Sequence, residues 1–447
     1  MTAITNSTSL EFNGQIIEIE NPQVFKWSNV YADIQHNIPN KKNYIIKLNL
    51  VKTTKHKLYF NVIYLEGFNG FIEEPFLPNV SAGFPPLAEK PSNLGDISCL
   101  IVPTGIGAAF GGYAGDANPL AKVFAKNCKY LLTHPNVVNG AVLSDLPENI
   151  IYLEGFLLDQ FLLGKIGLVP NCKNKIGVVF DKGIEDERLD YEVNVLNAMR
   201  AFYGCEIVGW AVTEKPVIIT PEINEYGFSS GKITNLEYVI EKALKLKELG
   251  ATGTCSGATA IAICCAIPDI ELNKDYISGI GIDPIGGIES IISHTVSAAI
   301  GLVSAHAPVL ISNEKIDYKK ISPVSASEFI AQTFLPSVIS GLRYAPQIVG
   351  VNQRVYPDKS IKFLDLANII LPYNAFGSAS ILYLSEYFKN IFLIRENKTC
   401  LDVDPSHLNI DFKILDRYIE LIDKEKIKEQ GIDKNVLRRP LEKLIRI

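Results

Sequence analysis

Two stretches near the start of the chain, "NYIIKLNLV" and "KLYFNVIYLEG", alternate apolar and polar positions around a short polar link, "KTTKH". A period of two sends successive side chains to opposite faces of a strand. The pair therefore predicts a β-hairpin with one face on a core and the other in water. The proline-rich stretch "EEPFLPNVSAGFPPLAEKPSN" follows and marks a domain boundary near residue 95. From Ile97 the pattern changes. Short apolar runs, "ISCLIVP", "YLLTHP", "KIGVVFD" and "CEIVGWAVT", read as strands and alternate with longer segments of helical period. "NPLAKVFAKN" opens with Asn118 and Pro119, good helix-start residues, and "DYEVNVLNAMRAFYG" closes at Gly204. "NLEYVIEKALKLKELG" carries an apolar stripe through Leu236, Val239, Ile240, Ala243 and Leu246, with Gly250 as its stop. "ENIIYLEGFLLDQFLLG" predicts a buried helix. Thr295 to Ser312 holds His306, Pro308 and several serines, and a bilayer span needs roughly 20 mainly apolar residues. That segment predicts a buried helix running into a strand. The tail "FKILDRYIELIDKEKIKEQ" predicts a charged helix packed back on the body, with a dimer arm as the alternative.

Strand–helix alternation of this kind predicts an α/β fold with a largely parallel sheet and flanking helices. The expected organisation is a small β-rich N-terminal domain over residues 1–95, a Rossmann-like core over 96–405 and a charged helical tail over 406–447. The core admits two lobes split near residues 170–175.

Composition narrows the class of function. The 447 residues are 47% hydrophobic and 21% charged, within the range of globular proteins. A formal charge of −6 and no cluster of lysines and arginines argue against nucleic acid as a partner. The start, "MTAITNSTSLEFNGQ", lacks the basic-then-apolar pattern of a secretory signal, and the eight cysteines show no CxxC pair. These features predict reduced thiols in the cytoplasm and no membrane partner. A homo-oligomer is compatible with all of them.

Three small-residue loops carry the candidate chemistry. In "IVPTGIGAAFGGYAGDANPL" the only charge is Asp116. Thr104, Gly105, Gly107, Gly111, Gly112 and Asp116 are its candidate binding residues. "GATGTCSGATA" supplies Cys255 and Ser256, and "GIGIDPIGGIES" supplies Asp283, Gly286, Gly287 and Glu289. Glycines between a strand and a helix let backbone N–H groups close on an anion, aided by the helix dipole. None of the three is a dinucleotide fingerprint or a P-loop. Glycines also permit tight helix–strand packing, and that alternative stands beside the anion reading.

Polar residues among apolar ones complete the set. His134 sits at a strand end in "LLTHPNVVNGAVL", followed by Asn136 and Asn139. A histidine with two amides suits carboxylate orientation or proton transfer near neutral pH, although His-Pro-Asn is also good turn chemistry. Ser290, His294, Ser297, Gly301 and Ser304 fall on one narrow helical face, a pattern that also serves close packing. Asp283 and Glu289 at the start of that helix need partners if buried, and His306 follows. Cys255, near a helix N-terminus, is a candidate nucleophile. Ser256 reads as a binding hydroxyl, since no GxSxG elbow surrounds it. Asp283, Glu289, His134 and His306 are metal-ligand types without HExxH-like spacing, so no cofactor is expected and a divalent metal is the lesser alternative.

The run "IVPTGIGAAFGGYAGDANP…LLTHPNVVNGA" with "GGIESIISHTVS…AHAP" resembles a bacterial and cyanobacterial family known only as a domain of unknown function. The resemblance spans roughly Ile97 to Ser380 and implies that these loops belong together, with no activity attached. From Lys175, "KIGVVFDKG…KALKLKELGATGTCSGAT" is faintly similar to the opening half of the aspartate/glutamate racemase and maleate isomerase superfamily, which implies a catalytic thiol at Cys255. Here the threonine precedes the cysteine, and no second cysteine stands at a matching turn. "GTCSGATA" and "IGGIES" also faintly resemble turns of the nicotinate-nucleotide phosphoribosyltransferases. The residues together predict an enzyme acting on a small anionic metabolite, with His134, Cys255, Asp283, Glu289 and His306 as acid–base or nucleophilic groups. Isomerase, lyase or transferase chemistry is expected, since no redox fingerprint is present. The alternative is a non-catalytic ligand-binding or assembly protein whose glycines serve packing.

Overall fold

The computed structural model describes residues 9–40, 42–78, 97–138, 146–170, 174–249, 257–268, 274–311, 318–331, 334–350 and 360–447. An antiparallel sheet in the order β1-β3-β2 forms first, from β1 (Glu11–Glu20), β2 (Tyr44–Thr53) and β3 (Lys57–Glu66). Helix α1 (Trp27–His36) packs on one face through Trp27, whose ring lies 6.2 Å from that of Phe60. The wet face expected of the hairpin is absent. Ile45, Ile46, Leu50 and Val51 are all buried, because the rest of the molecule covers the second face.

The remainder is α/β. Along the chain come β4 (Ile97–Leu100), α2 (Asn118–Asn127), β5 (Tyr130–Thr133), α3 (Pro135–Val138), β6 (Ile150–Tyr152), α4 (Gly155–Leu162) and β7 (Ile166–Val169). Then follow β8 (Lys175–Phe180), α5 (Asp186–Tyr203), β9 (Glu206–Val212), β10 (Ile218–Ile223), β11 (Ser229–Thr234) and α6 (Glu237–Glu248). Next are β12 (Ala260–Pro268), α7 (Lys274–Ile277), α8 (Gly286–Ile300), β13 (Val303–Ile311), α9 (Ala326–Ala331), α10 (Phe334–Leu342) and β14 (Gln347–Gly350). The chain ends with β15 (Asn368–Pro372), α11 (Ala379–Leu384), β16 (Ile391–Ile394), β17 (Lys413–Leu415) and α12 (Lys424–Glu429).

Two parallel sheets result. One has six strands in the order β17-β16-β15-β4-β5-β6, the other four in the order β13-β12-β8-β9. The strands of the second lie, in sequence, between β6 and β15 of the first. The chain thus leaves the six-stranded sheet, builds the four-stranded one and returns. Two antiparallel pairs, β7 with β14 and β10 with β11, flank them.

Local differences from the sequence expectation have physical causes. "ENIIYLEGFLLDQFLLG" is not one helix: its start pairs with β5 as β6, and Glu154 caps α4 by accepting from Phe156 N at 3.0 Å and Leu157 N at 3.2 Å. A short run buried on all sides carries no period that separates strand from helix. The tail is likewise no continuous helix. Lys413–Leu415 pair with β16 at the sheet edge, and Asp423 caps α12 by accepting from Glu425 N at 3.0 Å. Among the described residues no helix is long and apolar enough to cross a membrane.

Candidate functional site

The carboxyl ends of β4, β5, β6 and β15 open on a cavity of about 220 Å³, far above the roughly 10–15 Å³ that one water requires. Ligands in open α/β sheets bind at such an edge. Thr104, His134, Glu154 and Ser378 come from the loops after these four strands. The other walls are the start of α8 (Asp283, Gly286, Glu289), β13 (His306), α9 (Glu328) and β2 (Lys47, Asn49).

Glycines of the first and third loops close partly on one another and partly on Ser229 of β11. A Cβ on Gly105 would lie 2.9 Å from Gly287 N, and one on Gly287 would lie 1.9 Å from Ser229 O. One on Gly107 would meet Gly281 O at 3.1 Å. Gly105 has φ +72°, a conformation glycine takes without strain. The donors at the start of α8 are also taken. Asp283 Oδ1 accepts from Ile285 N at 2.9 Å, and Ser229 Oγ accepts from Gly287 N at 2.9 Å. The helix end that the sequence offered to a substrate anion therefore holds the carboxylate of Asp283.

Gly111 and Gly112 lie in a loop held from behind. Asn136 Nδ2 donates to Val102 O at 2.7 Å and Gly111 O at 2.8 Å, and Gly111 N donates to Asp116 Oδ1 at 2.7 Å. Asp116 is buried in an ion pair with Arg439 of the tail at 3.1 Å, which makes it a staple of this loop. Asn139, Cys255 and Ser256 lie outside the described residues. The described end of the second loop sits at the amino end of β12, where Thr259 N donates to Lys175 O at 2.8 Å. This loop precedes its strand and contributes no described residue to the cavity wall.

The cavity groups are electrostatically unusual. Glu289 Oε1 lies 2.9 Å from His306 Nδ1, and burial raises the Glu289 pKa to about 8. Burial holds the His306 imidazole neutral, with a pKa near 3. Asp283 is raised by burial first and by the Glu289 charge next. Glu328 is raised by burial and then by Asp283, and it accepts from Tyr276 Oη at 2.8 Å. His134 accepts from Val102 N at 3.0 Å through Nε2, so the neutral ring carries its proton on Nδ1. His294 Nδ1 sits against Glu154 Oε1, and Ser380 Oγ donates to Asp159, whose pKa burial lifts to about 6. Burial lowers Lys47 to about 8.

The structure thus brings together His134, Asp283, Glu289, His294 and His306 with Thr104, Gly112, Asn136 and Gly286. It adds Lys47, Glu154, Asp159 and Glu328, which sequence reasoning passed over. Glu154 and Asp159 were hidden inside a segment read as one buried helix. A carboxylate in such an apolar run is the signal that could have exposed them. Among the described residues no group of three or more histidine, cysteine or acidic side chains is arranged to hold a metal ion.

The Glu289 shift has a measurable consequence for stability. Its folded pKa lies above the ordinary 4.5, so between 4.5 and about 8 the folded chain holds a proton that the unfolded chain has released. That contribution is full below 4.5 and is lost as pH rises toward 8. Glu289→Gln removes it. From about pH 5 to 8 the variant should lose stability less steeply than the wild type, by on the order of 1 kcal/mol per pH unit. Thermal melts along a pH series test this, and parallel curves for both proteins would refute the shift.

A family model described as "Protein of unknown function (DUF3326)" matches residues 97–438. The match runs past Ser380, where the resemblance was expected to end, and takes in β17 and α12. An "Uncharacterized lipoprotein" of Synechococcus sp. is 35% identical over 340 residues, covering 75% of this chain and 91% of that protein. No solved structure matches.

Proposed function

This chain belongs to the DUF3326 family, and we propose that within it the cavity binds a small anionic metabolite and moves a proton on it. The observation that carries this reading is the convergence, in one cavity, of a lysine from β2 with carboxyl groups from α8 and α9 whose pKa values burial lifts toward neutrality. Displaced pKa values of this kind mark sites of acid–base work. Lys47 supplies positive charge, and Asn49, Asn61 and Thr104 supply neutral hydrogen-bonding groups along the wall. Glu289, protonated near neutral pH, serves as the acid. His294, oriented by Glu154, serves as a base, because a carboxylate on one ring nitrogen fixes how the other is presented. Proton transfer of this kind supports isomerase, lyase or transferase chemistry.

The test is a thermal-shift screen against carboxylated and phosphorylated metabolites, run on the wild type and on Lys47→Met. A ligand at about 100 times its Kd stabilises the fold by about 2.7 kcal/mol. At least one metabolite should raise the wild-type Tm and leave Lys47→Met unmoved. No shift from any, or equal shifts in both proteins, overturns the reading. The closure of the glycine loops on each other favours the alternative of a binding or assembly protein, which predicts binding without turnover.

We also place the protein in the cytoplasm. The free cysteines, Cys99, Cys264 and Cys265 among them, support a reducing compartment. Recovery of the chain with membranes after cell fractionation would overturn that placement.

A further inference from the structure

Lys47 is the one lysine or arginine on the cavity wall among the described residues, and the fold aims it there. The pairing of β2 with β3 slips by one residue between Ile45 and Lys47. Directly paired residues share a face of a sheet. Lys47, opposite Ile63, lies two residues from Asn49 and so shares a face with the pair Asn49 and Asn61, which also line the cavity, while the slip turns Ile45 to the other face. Bulges that re-aim a side chain in this way recur beside active sites. The Nζ donates to Ser290 Oγ at 3.1 Å, and Ser290 Oγ in turn donates to Gly287 O at 2.6 Å. Among the described residues no carboxylate pairs with Lys47, and burial alone displaces its pKa. An ammonium has three N–H donors, so one neutral partner leaves it under-satisfied.

We propose that Lys47 is a nucleophile that forms an imine with a carbonyl group of the bound metabolite, and that the substrate class is a small oxo acid. The proposal rests on the cavity being a metabolite site. The Nζ lone pair adds to the carbonyl carbon, and the carbonyl oxygen takes a proton from Glu289. The nitrogen returns a proton to the carboxylate so formed. Glu289 then protonates the carbinolamine hydroxyl; the C–O bond breaks, water leaves, and the nitrogen lone pair forms C=N as a protonated imine beside the Glu289 carboxylate. One amine, one carbonyl and one proton from Glu289 thus give one protonated imine and one water, with no change of oxidation state. A protonated imine keeps the positive charge that Lys47 brings and draws electrons from the adjacent carbon. That eases loss of a proton or cleavage of a carbon–carbon bond there, and a desolvated lysine suits such chemistry.

The experiment incubates the full chain at about pH 7.5 with pyruvate, 2-oxoglutarate or acetoacetate, each with sodium cyanoborohydride, and maps adducts by peptide mass. At least one probe should give one adduct per chain, on Lys47. The exposed Lys55 and Lys129 should react about tenfold less or lower, because neither lines the cavity that would hold the probe. Lys47→Arg keeps the charge and should lose the adduct. Labelling spread over exposed lysines, or unchanged in Lys47→Arg, overturns the proposal. The same probes are scored by thermal shift without reductant. A shift without an adduct defeats the imine and leaves the metabolite site standing, whereas absence of both defeats the imine and withdraws oxo acids as ligands.

Discussion

Replacing Arg439 with leucine is expected to cost about 3–5 kcal/mol, the penalty of leaving a buried charge without its partner. Asp116 is 2% exposed and Arg439 11%. The guanidinium does more than pair with that carboxylate. Its Nε donates to Ala109 O at 3.1 Å, its Nη2 donates to Asp116 O at 2.9 Å, and it stacks 4.0 Å from the Phe110 ring centre. One residue of the tail thus fixes the loop that carries Gly111 and Gly112. Burial already raises Asp116 to about 6 against the opposing pull of Arg439. Without Arg439 its folded pKa must rise further, so the folded variant binds a proton that the unfolded chain releases. The deficit should be smaller near pH 5 than near pH 8. Adding Asp116→Asn should recover part of the loss. Chemical denaturation at both pH values checks this. A double variant no better than Arg439→Leu would assign the effect to the stacking and carbonyl contacts instead.

Gly287→Ala should destabilise the protein by about 3 kcal/mol or more, although alanine is favoured over glycine inside a helix by about 1 kcal/mol. The added methyl would sit 1.9 Å from Ser229 O and 2.3 Å from Ser229 C. Both are backbone atoms that cannot rotate away. Ser229 is itself tied, with its N donating to Gly105 O at 2.9 Å and its Oγ to Pro284 O at 2.9 Å. Either α8 lifts off β11 or the first loop moves with it, and in both cases Asp283 and Glu289 shift in the cavity. Gly209→Ala is the control, since the nearest atom to its new methyl lies at an ordinary 3.8 Å. Equal melting temperatures for the two variants would show that the close approach at Gly287 does not exist.

These two positions also show how far sequence reasoning reached. The glycine loops were legible because removing side chains is a local act that leaves its mark in composition. What approaches them was not. The first and third loops meet each other across more than 170 residues, and an anion and a second backbone ask for the same small residues. His134, Asp283 and Glu289 stood out as polar groups in apolar surroundings, and they share the cavity. Lys47 did not stand out. A lysine in an alternating strand reads as part of a wet face, and only the covering of that face makes it a cavity residue. Asp116 went the other way: its partner, Arg439, lies 323 positions along the chain, beyond any local pattern.

Composition and periodicity determined by themselves that this chain is α/β with parallel strands, where most strands and helices lie, and which segments are rich in small residues. Those properties follow from interactions between neighbours in sequence, which spacing records. Only the tertiary structure decided that the parallel strands divide into two sheets, one inserted in sequence between the halves of the other. It alone turned the hairpin into a cavity wall and the tail into a staple. Such outcomes depend on which distant surfaces bury each other, and burial at a distance leaves no period in the sequence to read.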